Sequence, residues 1–126
     1  MDLWASMLVV SLILPVSMIA FGFYCAKGGP DRINYWFGYR TPMAMINLDT
    51  WKFAHIYIGK LLRITWFVLL PVTAAVMLYV RSEPDDFIST FSLAVLGVQV
   101  GVVIVHIVFT ELALRRKFDY NGKPKS

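Results

Sequence analysis

The sequence predicts an all-α integral membrane protein: three transmembrane helices, with a cytoplasmic amphipathic helical segment between the first and second. Two observations carry that class. Hydrophobic residues make up 58% of the 126 and charged residues 16%, below the quarter or so usual in soluble domains. Three long runs also lack Asp, Glu, Lys and Arg: Leu3 to Ala26, Ile64 to Val80 and Phe87 to Thr110. Each is near the roughly 20 residues a helix needs to cross about 30 Å of hydrocarbon. Leu61 and Leu62 lengthen the second run if Arg63 snorkels its guanidinium to the headgroups. The chain therefore divides, as a single membrane domain over 1–126, into spans at about 3–26, 61–80 and 87–110, a loop at 27–60 and a basic tail at 111–126.

The first run is read as a span rather than a secretory signal. Its leading residues, Met1-Asp2, are acidic where a signal needs basic ones, and the run is too long for a signal's apolar core. Cys25 follows Tyr24, which is not the small residue expected before a lipid-attachment cysteine, and a lone cysteine forms no intrachain disulfide. It reads as an inert residue at the membrane edge.

Orientation follows from the basic residues. The first connection carries Lys27, Arg32, Arg40, Lys52, Lys60 and Arg63, and the tail carries Arg115, Arg116, Lys117, Lys123 and Lys125. The second connection has Arg81 alone, beside Glu83, Asp85 and Asp86. The positive-inside rule then puts the N-terminus outside and the long loop and tail in the cytoplasm. The net charge of +4 is accounted for by topology and by contact with anionic lipid, so nucleic acid is not an expected partner.

The loop carries the densest local signals. Lys27-Gly28-Gly29-Pro30 ends the first helix, because proline cannot continue it. Gly38 breaks the aromatic run Tyr35-Trp36-Phe37, whose rings suit the membrane interface. Thr41-Pro42 reads as an N-cap and first helical position, opening a short helix through Ile46. Asn47 or Asp49 caps a second, amphipathic helix. At about 100° per residue, Asp49, Lys52, Lys60 and Arg63 gather on one face and Trp51, Ala54, Ile58, Leu61 and Leu62 on the other. Such a helix lies in the interface before turning into the second span, or presents its polar face, with Arg40, to a partner or ligand.

Asn34, Gly38-Tyr39-Arg40-Thr41, Asn47, Thr50-Trp51, Ala54 and Gly59 together resemble the signature of the SdpI/YfhL family of bacterial membrane proteins. Ala44 and His55 depart from it, standing where that signature often has Ser and Asn. The resemblance implies a non-enzymatic protein of the cytoplasmic membrane that gives immunity to, or senses, a membrane-active peptide toxin. Asn34, Gly38, Tyr39, Arg40, Thr41, Asn47, Trp51 and His55 are then the candidate ligand- or partner-binding residues.

The third span adds a separate signal. Ser92, Gln99, His106 and Thr110 fall within about 40° on a helical wheel and form a polar stripe that should face protein or water. Gly97 and Gly101, continued by Thr90 and Ala94, form a small-residue face suited to packing another helix of the chain or of a neighbour, so a homo-oligomer or hetero-complex is expected beside lipid. His106 reads either as a neutral imidazole bonded to Thr110 or to a carbonyl freed by Pro15 or Pro71, or as a proton-relay or ligand site. His55 and His106 lack supporting Cys or carboxylate spacing, so neither metal nor other cofactor is expected. Glu111 and Arg115 stand four apart, as in a helical ion pair. With no nucleophile motif and no phosphate loop, an enzyme is not expected. The alternative class is a small accessory or assembly subunit of a larger membrane complex.

Overall fold

The structure is a computed structural model describing residues 2–125. Its elements are α1 (Leu3–Tyr24), α2 (Leu48–Tyr79) and α3 (Asp85–Lys117). All three are long and apolar enough to cross a membrane, and each packs against the other two in an up-down-up bundle. The protein is thus an all-helical multi-pass membrane protein.

Helix lengths decide the shape. At about 1.5 Å per residue, the 22 residues of α1 span about 33 Å, whereas the 32 of α2 and 33 of α3 approach 50 Å. With a hydrocarbon layer of about 30 Å, α2 and α3 overhang α1 by several turns at one end. The segment between α1 and α2 folds around that overhang, and this end is called the loop end below. The amphipathic stretch and the second span are one unbroken helix, with Trp51, Ala54, His55, Ile58, Gly59, Leu62 and Trp66 buried along it. The apolar face of its first turns is covered by protein, and no bend separates those turns from the span. The expected short helix from Thr41 to Ile46 is a single turn, in which Thr41 Oγ1 accepts the Ala44 N–H and Thr41 O the Met45 N–H. With Asn47 already capping α2, the sequence leaves that turn no room to grow.

The tightest crossing joins α1 to α2. A Cβ on Gly59 would lie 2.9 Å from the Gly22 carbonyl oxygen, and one on Gly22 would lie 3.1 Å from the Gly59 carbonyl oxygen. Gly97 and Gly101 have nothing within 4 Å of where a Cβ would stand, so they face away from the bundle. Of the two settings open to that pair, the structure uses neither helix of its own chain.

Proline shapes the interior as well. Pro15 has no N–H to give the carbonyl of Ser11 four residues earlier. Gln99 Nε2 donates to that oxygen at 3.0 Å and to Thr73 Oγ1 at 3.2 Å, tying all three helices at mid-bundle.

Candidate functional site

The loop end is built by side chains that satisfy loop backbone. Asn34 Oδ1 accepts the N–H groups of Trp36 and Phe37 and its Nδ2 donates to Arg32 O, folding the aromatic run into a tight turn. Asn47, rather than Asp49, is the N-cap: its Oδ1 accepts the Thr50 N–H at 2.9 Å while Thr50 Oγ1 accepts the Asn47 N–H at 3.1 Å. That reciprocal pair satisfies two otherwise unpaired donors. Trp51 is fully buried and its Nε1 donates to Pro30 O at 2.9 Å, pulling the start of the loop onto α2.

His55 is the centre of this arrangement. It is fully buried, with Nε2 accepting the Tyr39 N–H at 2.8 Å and Nδ1 facing the Trp51 carbonyl at 2.7 Å. A carbonyl only accepts, so the proton sits on Nδ1 and the ring is neutral. The loop passes close around it: Gly38 has φ +115°, and a Cβ there would lie 2.7 Å from His55 Nε2. A residue with a side chain at position 38 would be both strained and displaced.

Tyr39 reaches to α3. Its hydroxyl donates to Glu111 Oε1 at 2.7 Å, so Glu111 answers the loop and not Arg115, contrary to the helical ion pair expected from spacing. Burial first, then the hydrogen bond and charge of Glu111, push the Tyr39 phenol well above its ordinary range and keep it a donor. Arg40 is exposed, and its Nη1 donates to Tyr35 O. The tail closes the other side: α3 runs on to Lys117, and a turn brings Gly122 O to Asn47 Nδ2 at 2.9 Å. Phe118, buried against Phe53 in that tail, was not singled out in the sequence, nor were Gly22 and Ser11.

The polar stripe of α3 faces inward as expected, with Ser92, Gln99, His106 and Thr110 all buried. Its bonding differs in one place. Thr110 Oγ1 donates to the backbone oxygen of His106 at 2.8 Å, not to the ring, and the Ser11 carbonyl that Pro15 leaves free accepts from Gln99. Neither ring nitrogen of His106 has a protein partner among the described residues.

His106 lines a cavity of about 340 Å³ where α1, the loop, α2 and α3 meet. Met18, Phe21, Ile58, Leu62, Val103 and Ile107 make its apolar wall, and Gly38-Tyr39-Arg40-Thr41 close it on the loop side. The structure therefore joins Gly38, Tyr39, Arg40 and Thr41 to His106 in one site, while Asn34, Asn47, Trp51 and His55 hold the loop from behind. Ser92, Gln99, Thr110, Gly97 and Gly101 lie away from this cavity.

A family model for the SdpI/YfhL protein family matches residues 31–110, from the loop through α2 to Thr110 of α3. The chain belongs to the SdpI/YfhL family. No curated protein and no solved structure matches it. The SdpI-family match takes in both halves of the cavity, the GYRT loop and His106, and excludes α1 and the tail that pack against them.

Proposed function

We propose that this SdpI-family protein gives immunity to, or senses, a membrane-active peptide toxin by non-catalytic binding at its loop end. In this reading it resides in the bacterial cytoplasmic membrane with the N-terminus outside and the loop and tail inside. Family membership supports the immunity class. The observation that carries the choice of site is the cavity itself, which the loop, all three helices and a buried unpartnered imidazole build together. The site is mostly apolar with few polar groups, as small-ligand and peptide-anchor sites are. The binding role assigned to the eight loop residues divides accordingly: Tyr39, Arg40 and Thr41 meet the ligand, and the others position them.

Expression in a susceptible strain, challenged with peptides encoded beside this gene, tests the proposal. Survival that depends on Arg40 and His106 at matched membrane abundance is expected; full killing by every such peptide overturns it. The outward face of Thr90, Ala94, Gly97 and Gly101 favours a second reading, an accessory subunit of a membrane complex, because small residues let another helix approach closely. In that case a defined partner co-purifies in mild detergent and is lost on Gly97→Leu, with toxin sensitivity unchanged.

A further inference from the structure

His106 is 5% exposed, has both ring nitrogens unpartnered among the described residues, and lines the cavity at the loop end. An imidazole without a partner in apolar surroundings is costly, so this placement calls for an occupant that hydrogen-bonds. Arg40 supplies the second demand. It lines the same cavity, it is exposed, and among the described residues its guanidinium donates only to Tyr35 O. A guanidinium only donates and carries a fixed positive charge, so the free part of its fork matches an anionic oxygen pair. Glu111 is held by the Tyr39 hydroxyl and is not part of the cavity lining. The remaining wall, Met18, Phe21, Leu62 and Val103 among it, is apolar and belongs to the helices that cross the membrane.

We propose that this cavity binds a single-chain amphiphile with an acidic head group: the chain lies against Met18, Leu62 and Val103, and the acid accepts hydrogen bonds from Arg40 and from the His106 N–H. About 340 Å³ is near the lower limit of small-molecule sites, which suits one alkyl chain. Carboxylate and phosphate heads share the required chemistry. This assignment uses the cavity of the proposed function but does not depend on immunity, because it is read on purified protein.

The test uses the full chain in phosphatidylcholine nanodiscs with side-chain ¹⁵N-labelled histidine, titrated with dodecanoate, dodecyl phosphate and dodecanol. Saturable shifts of the His106 resonances with at least one acid are expected, and the tighter acid identifies the head. Dodecanol and the Arg40→Gln variant should each bind about tenfold more weakly, the loss of one charge-assisted hydrogen bond. Val103→Phe fills part of the apolar wall while keeping both head-contact residues, and should remove saturable binding, with a thermal transition like that of the wild type as the folding control. Dodecanol binding as tightly as both acids overturns the proposal. So does wild-type affinity in a folded Val103→Phe or Arg40→Gln variant. A protection assay is a separate readout: failure of binding leaves the immunity reading standing, and failure of protection leaves this site standing.

Discussion

At the scale of single residues, His55 shows how one side chain orders a loop. Its two ring nitrogens bridge the Trp51 carbonyl of α2 to the Tyr39 N–H of the loop, so the residue entering the GYRT turn is pinned to the helix beneath it. His55→Phe keeps an aromatic ring, a larger one, but leaves the buried Tyr39 N–H unpaired, which alone costs about 1–3 kcal/mol. A thermal transition lowered in nanodiscs, with helix content unchanged by circular dichroism, is the expected result. Gly38→Val should be more damaging than Thr41→Val. The first forces a β-branched residue into φ +115° against the imidazole, whereas the second removes one turn-capping oxygen worth about 1 kcal/mol. Membrane abundance of the two variants, compared on one blot, tests that order. Tyr39→Phe separates loop from α3: it deletes the donor to Glu111 and should increase hydrogen exchange in residues 35–41 while leaving exchange at Trp51 unchanged.

Among elements, the α1–α2 crossing and the outward face of α3 make a matched pair of expectations. Gly59→Val places atoms 2.9 Å from the Gly22 carbonyl oxygen, a backbone group that cannot rotate aside, so α1 and α2 must separate. A Cβ at Gly97 or Gly101 meets no atom of another described segment within 4 Å. Thermal unfolding should therefore be lowered by the first and unchanged by the other two. A change in oligomeric state on Gly97→Val, read by size exclusion with light scattering, would assign that face to contact between chains. The tail belongs at this scale too. Truncation after Lys117 removes the Gly122 carbonyl from Asn47 and the Phe118 ring from Phe53, and should loosen the start of α2 without affecting insertion of the spans.

For the whole molecule, the distribution of charge predicts which way the bundle faces. Basic residues crowd the loop end, in the loop, the first turns of α2 and the tail, while Asp85 and Asp86 open α3 at the other end. With the loop end in the cytoplasm, a cysteine at Asp86 should react with an impermeant maleimide added to intact cells and one at Lys123 should not. The native Cys25 is fully buried, which keeps the background low. Labelling at Lys123 with protection at Asp86 would invert the protein and move the cavity to the outer surface.

The class and number of spanning helices are legible in the sequence by itself, because a charge-free run of about 20 residues has few alternatives in lipid. A cap at Asn47 or Asp49, the inward stripe of Ser92, Gln99, His106 and Thr110, and the family signature were legible for a similar reason: each is a local or periodic pattern. The tertiary structure alone decided the rest. That α2 runs unbroken from Leu48 depends on the loop and tail that cover its first turns. That Gly22 and Gly59, rather than Gly97 and Gly101, meet depends on which faces the bundle turns together. Glu111 finding Tyr39 instead of Arg115, and Gln99 taking the carbonyl that Pro15 frees, join residues 72 and 88 positions apart. Neither spacing nor propensity encodes such pairs. The site has the same origin: Arg40 and His106 are ordinary in their own segments, and they share a cavity because Trp51 and His55 hold the loop between Tyr24 and Leu48 onto α2 while Tyr39 ties it to Glu111 of α3.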